Sequence, residues 1–504
     1  MDITALLATT PTNLFIDGEF VPSDTNDTFP VINPSDGTEL ARVASASEAD
    51  ARRALAAAVR AGADWANTPS RERSTILHRA FELILDHGEE LAWLQSLELG
   101  RALPDSRAEV SYGAEFFRWF AEEAVRIRGD YRHNPTGTGR IVVTHQPVGP
   151  CLAITPWNFP LAMGTRKLGP ALAAGCTMIV KPASKTPLTM LYLAQLLVRA
   201  GVPRGVVAVL PTKNASNVSA LLDDPRLRKL TFTGSTAVGQ QLAARAARHS
   251  LRVSLELGGN APYLVCEDAD VDQAAQAVAV AKMRGAGQVC IAANRFLVHE
   301  RIAAEFTAKV SEVLAGFRLG RATDEGVTFG ALSGADQVAT VQKLVDDALA
   351  QGATVASGGV LPTGLPAGGS YFPATVLTNV PTTADIAHSE IFGPVVAIQT
   401  FATEDEGIAM ANDTSFGLAA YVFAGDTGRA LTIAERIEAG MVAINKGTIS
   451  DPAAPFGGVK ESGVGREGGM EGIDEYLEAY SAAGKTWFGW WLVEHYLPYH
   501  VNCP

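Results

Sequence analysis

Cysteine is scarce in this chain and follows no pattern. Five cysteines, Cys151, Cys176, Cys266, Cys290 and Cys503, are spread over 504 residues. The count is odd and no CxxC or Cys/His spacing occurs, so free thiols are expected, with neither a disulfide framework nor a metal site. Long apolar runs are absent too: none approaches the roughly 20 residues needed to span a bilayer. Positive charge is in deficit, with 41 Lys and Arg against 54 Asp and Glu and a net charge of −13. That balance argues against nucleic acid or an anionic membrane surface as partner. No basic residue precedes Arg42, so no secretory n-region or Arg-rich transit helix is visible, and a cytoplasmic location is expected. A small anionic substrate is still allowed, because two local arginines outweigh the global charge at short range.

What is present describes an ordinary globular protein, 47% hydrophobic and 19% charged. The length is too great for one core, so two or three domains are expected. Leu14–Arg42 reads as short strands and turns. Amphipathic helices follow: Ser47 with Asp50 predicts an N-terminal cap, and Ile76, Leu77, Phe81, Ile84 and Leu85 keep helical spacing. Around Tyr131–Val143 the pattern lapses into short alternating stretches, predicting a projecting hairpin. From Cys151 strands and helices alternate. The predicted strands are Cys151–Thr155, Thr177–Lys181, Val206–Leu210, Lys229–Thr233 and Arg252–Leu257, with a helix opening at Thr186–Pro187, capped by the threonine. This alternation predicts an α/β fold with a parallel sheet covered on both faces. A second α/β unit begins after Ala261, with a helix at Val271–Gly285 and a strand at Arg295–His299. The tail carries Trp487, Trp490, Trp491, Tyr496 and Tyr499, and such an aromatic cluster predicts packing against a neighbouring subunit.

One motif is rejected. Gly463–Gly468 fits GxGxxG, but it follows a loop, and that fingerprint works only at a strand-to-helix turn. The informative motifs lie elsewhere: "ITPWNFP" at Ile154–Pro160, "KPAS" at Lys181–Ser184, "FTGSTAVG" at Phe232–Gly239, "LELGGN" at Leu255–Asn260, "GQVC" at Gly287–Cys290, "EIFGPV" at Glu390–Val395 and "PFGGVKESGVGREGG" at Pro455–Gly469. Taken in this order they resemble the aldehyde dehydrogenase superfamily from about Leu14 to Leu477, and most of all its succinate-semialdehyde dehydrogenases.

The resemblance implies a Rossmann-type cofactor domain at 1–129 and 149–261, and an α/β catalytic domain at 262–474. It also implies a small β oligomerisation element at 130–148 with the tail 475–504, building a homodimer or homotetramer. It implies NAD(P)-dependent oxidation of an aldehyde, with Cys290 as the nucleophile that forms a thiohemiacetal and then a thioester. A free cysteine is usually a core residue, but here glycine and glutamine flank it in a turn. Glu256 is the implied general base; a carboxylate ending an apolar strand should be desolvated and its pKa raised. Asn158 is the implied oxyanion donor, though Asn near Pro is by default a turn residue.

For the cofactor the resemblance assigns Thr155, Pro156 and Trp157 at the strand end and Lys181 at the adenine ribose. Gly234 and Ser235 meet the pyrophosphate at a helix start, Glu390 meets the nicotinamide ribose, and Phe392 lines its pocket. Ser184 stands where relatives favouring NAD carry Glu, so NADP is expected to be preferred over NAD, with Lys181 and Lys185 adding charge. Arg166, Arg284 and Ser450, with Phe456 beside them, match positions that bind a distal carboxylate, for which the planar guanidinium fork is suited. The expected substrate is therefore a carboxylate-bearing aldehyde, succinic semialdehyde first; glutarate semialdehyde or a neutral aliphatic aldehyde are the alternatives. A non-catalytic member of the fold would have a broken constellation, yet Cys290, Glu256 and Asn158 are all there. Departures surround the clamp: Gly164 for a frequent Ile, Gly285 for a frequent Asn, and Lys446 for a small polar residue. Ala292 replaces a second cysteine that in relatives can pair with the nucleophile, and "VLPTK" at Val209–Lys213 replaces a Thr-Gly turn.

Overall fold

The computed structural model describes residues 1–484; the aromatic tail and Cys503 lie outside the described residues. Eight strands form one sheet. Its inner five, Arg252–Glu256, Lys229–Thr233, Cys151–Ile154, Met178–Lys181 and Val207–Val209 in that spatial order, are parallel. Leu14–Ile16 and Glu19–Val21 extend one edge antiparallel, and Gly463–Val464 the other. The parallel strands are buried on both faces and are correspondingly rich in Val, Ile and Leu. A second sheet of seven strands, all parallel except at the edge strand Thr354–Gly358, is centred on Ala261–Val265 and Ala293–His299. Each sheet has its own apolar core.

The predicted strands are all present, differing by one or two residues at their ends. Ser47 and Asp50 form the expected reciprocal cap on the helix Glu48–Asn67. The hairpin is Asp130–His133 with Arg140–Pro147, and Leu477–Gly484 adds a third strand to it. Gly463–Gly468 opens no helix: its first two residues are an edge strand, and Gly463, Gly465 and Gly468 take positive φ.

Two expectations need correction. The helix predicted to run to Gly285 stops at Ala281, and Gly285, Ala286 and Gly287 are all left-handed, with φ of 59°, 56° and 74°. Thr186 does not cap the helix Leu188–Ala200; its hydroxyl donates to the Trp157 carbonyl. The free amides of Leu188 and Thr189 donate instead to the carboxylate of Glu98, at 2.8 and 3.0 Å. A carboxyl from a distant helix takes both open amides at once and replaces the local hydroxyl as the cap.

Candidate active site

In the first sheet the strand order reverses at Cys151–Ile154: the next two strands lie to one side of it, the following two to the other. Such a switch point opens a crevice at the carboxyl ends of the strands. A cavity of about 290 Å³ lies there. Pro156–Phe159 and Thr233–Ser235 line it from the first sheet, and Arg284, Val289–Ile291, Glu390 and Phe392 from the side of the second.

The left-handed run Gly285–Gly287 turns the chain sharply so that Cys290 faces this cavity. An alanine at φ 56° costs about 1–2 kcal/mol, a strain that recurs at functional turns. It also explains the departure at Gly285: glycine and asparagine are the two residues that tolerate this backbone most readily. Burial pushes the Cys290 thiol up to about 12; the Glu390 charge adds to this, while Arg166 and Arg284 oppose it. Asn158 Nδ2 donates to the Gln288 carbonyl at 2.9 Å, leaving its second hydrogen free. Glu256 ends its strand beside Thr233. It is buried and neither carboxylate oxygen has a partner. Burial, then the charge of Glu467, holds its carboxyl well above the usual range, with Lys167 and Arg166 partly offsetting them.

Arg166 projects from the helix Ala162–Ala174. Glu109 holds the start of that helix, accepting the Leu161 and Ala162 amides, both at 2.9 Å. The Arg166 guanidinium stacks 4.1 Å from the Phe456 ring centroid and donates to the Tyr112 hydroxyl at 2.8 Å. It faces Glu467 Oε2 at 3.4 Å. Arg284 stands over the Phe159 ring at 5.3 Å, and its Nε has no partner. Ser450 hydrogen-bonds the Tyr112 hydroxyl. Both arginines, Ser450 and Phe456 thus line the same cavity as Cys290.

A dinucleotide fits the remaining features. Ser235 is the N-cap of the 12-residue helix Thr236–Ala247 and makes no side-chain cap bond, so the first-turn amides remain open to a phosphate. The buried Glu390 carboxyl accepts only a 3.4 Å bond from the Gly259 amide and is pushed up to about 8 by burial, so it keeps hydrogen-bonding capacity for a diol, donating when protonated and accepting when ionised. Gly258 lets it come close: a Cβ there would lie 3.1 Å from Glu390 Oε2. Phe392 packs edge-on against Trp157, centroids 5.3 Å apart.

The aldehyde dehydrogenase family model matches residues 20–481. The chain belongs to that family. It is 52% identical to the succinate-semialdehyde dehydrogenase of Paenarthrobacter nicotinovorans, over 87% of this chain and 97% of the relative. It is 45% identical to the glutarate-semialdehyde dehydrogenase of Pseudomonas putida, over 92% and 96%. The crystal structure of an Escherichia coli NADP-dependent enzyme superposes with a TM-score of 0.93 at 43% identity, covering 96% of this chain and 99% of that one.

Within this aldehyde dehydrogenase, Thr155, Lys181, Ser184 and Glu256 do not line the cavity; they lie beyond it on the first-sheet side. The Thr155 amide donates to the Lys181 carbonyl at 3.1 Å. Lys181 is buried with only the Pro182 carbonyl to donate to, and burial lowers its ammonium to about 8. Ser184 is exposed. Lys185, expected to add charge beside it, is committed elsewhere: it pairs with Asp336 at 2.8 Å. Lys446 is exposed and not part of the cavity, so it adds no charge beside Arg166 and Arg284. Gly164 does not enlarge the site, because the Met190 side chain fills the space a Cβ there would need. Sequence reasoning missed Tyr112, Lys167 and Glu467. Lys167 is wholly buried between Thr233 Oγ1, at 2.7 Å, and Glu467. The fully buried lysine was the one available signal, and only the tertiary structure reveals it.

Proposed function

We propose that this enzyme oxidises a short aldehyde ending in a carboxylate, succinic semialdehyde foremost, with NADP preferred and NAD accepted. The observation that carries this reading is the convergence of Arg166, Arg284 and Ser450 on the cavity of Cys290. Arg284 is the freer cation of the two, since Arg166 is already shared with Tyr112 and Glu467. Glu256, made more basic by burial, takes the proton of the Cys290 thiol, and the thiolate attacks the aldehyde carbon. The second Asn158 hydrogen and the Cys290 amide, which has no backbone acceptor among the described residues, stabilise the oxyanion of the thiohemiacetal. The nicotinamide, when bound, accepts the hydride that turns the thiohemiacetal into a thioester. Glu256 gives the first proton up to solvent, takes one from the water that hydrolyses the thioester, and passes it to the leaving Cys290 sulfur, releasing the acid and the thiol.

For the cofactor, Gly234 and Ser235 with the open helix start hold the pyrophosphate, Glu390 the nicotinamide ribose, and Lys181 the adenine ribose. Phe392, Trp157 and Pro156 complete the walls, with Thr155 behind them at the strand end. Neutral Ser184 tolerates a 2′-phosphate, and the likeness to an NADP-dependent enzyme supports that preference. A substrate one methylene longer is the second reading, favoured by the likeness to a glutarate-semialdehyde dehydrogenase. Initial rates with succinic semialdehyde, glutarate semialdehyde and butanal, each with NADP and NAD, test the reading. A strong preference for the acids, and for NADP, is expected. Equal or better turnover of butanal would refute the clamp.

A further inference from the structure

Arg166 and Ser450 approach the cavity from opposite sides, one on the helix Ala162–Ala174, the other on a loop after the second sheet. The Tyr112 hydroxyl stands between them. It accepts from Arg166 Nη2 at 2.8 Å and is hydrogen-bonded to Ser450 Oγ. Its ring is fixed edge-on to Phe116, centroids 5.1 Å apart. Three residues earlier on the same helix face, Glu109 grips the two amides that open the Arg166 helix. One face of the helix Leu103–Glu123 therefore both aims Arg166 and supplies the hydroxyl that meets it.

We infer that Tyr112 is a specificity-determining residue of this enzyme: its hydroxyl is a further ligand of the substrate's distal carboxylate, and with no substrate bound it keeps Arg166 and Ser450 aligned. This rests on the reading of the cavity as a carboxylate site. A buried guanidinium without an acceptor is costly, and the hydroxyl accepts from Arg166 when no carboxylate does. When one enters, the phenol turns its O–H toward it, since a hydrogen bond to an ionised acceptor is stronger than one to a neutral serine. A phenol is suited to this double use because it both donates and accepts. An ammonium or a carboxylate at position 112 would repel one of the two.

The variant Tyr112→Phe removes one oxygen and keeps the ring on Phe116. Its kcat/KM for succinic semialdehyde, divided by that for butanal, should fall about tenfold from the wild-type ratio, the size expected for one hydrogen bond to a charged group. The fall should appear in KM for the acid and not in kcat, and the dissociation constant of succinate, titrated as a dead-end ligand, should rise by a similar factor. A ratio that stays at the wild-type value, or a parallel loss on acid and butanal, would overturn the inference. A wild-type ratio near one would instead refute the carboxylate reading itself, so the two failures are distinct.

Discussion

At the scale of single residues, the site separates charge from the groups that must change charge. Cys290 is kept neutral at pH 7 by burial. Glu256 is kept basic by burial and Glu467. Raising the pH therefore increases the thiolate fraction throughout the physiological range, and reactivity follows thiolate. Alkylation of Cys290 in the cofactor-free enzyme should still be climbing between pH 7 and 8. A plateau already reached by pH 7 would contradict the burial described here. Cys290, Glu256 and Asn158 were singled out as candidates because distinctive neighbours surround each of them. Tyr112 was not, because a tyrosine in an amphipathic helix carries no sign of the arginine it will meet. That meeting depends on the packing of the helix Leu103–Glu123 against Ala162–Ala174, which periodicity does not specify.

At the scale of elements, buried carboxylates do much of the positioning. Glu98 holds the start of Leu188–Ala200, Glu109 the start of Ala162–Ala174, and Asp105 accepts the Gly285 amide at 2.8 Å in the turn that leads to Cys290. These long-range caps explain why the local prediction of a Thr186 cap failed. The overlong helix prediction failed differently: the backbone reverses at Gly285, a position where helical and left-handed conformations are both open to glycine. Cys151–Ile154, Met178–Lys181 and Val207–Val209 were read well because burial on both faces leaves short apolar runs. A third element is only thinly covered among the described residues. The sheet of Asp130–His133, Arg140–Pro147 and Leu477–Gly484 exposes Tyr131 and Tyr480. The outer strand Asp130–His133 is exposed along its whole length. Thin, open-edged sheets are seldom stable alone, so we propose that this one packs on a second copy. Sedimentation at micromolar concentration should show a dimer or tetramer, and a lone monomer would contradict the proposal.

At the scale of the whole molecule, the two sheets meet so that Cys290, Gly234, Ser235, Glu390 and the two arginines share one cavity of about 290 Å³. Among the described residues no helix is long and apolar enough to cross a membrane. The central claim is that this cavity selects an acidic aldehyde by its arginines, and Arg284 tests it most directly because, unlike Arg166, it has no ion-pair or side-chain hydrogen-bond partner among the described residues. The decisive measurement is kcat/KM for succinic semialdehyde and for butanal in Arg284→Leu beside the wild type. Losing a paired, desolvated charge is worth about 3 kcal/mol, so the acid-to-neutral ratio should fall about a hundredfold. A variant that loses activity equally on both aldehydes, or keeps its preference for the acid, would contradict the clamp.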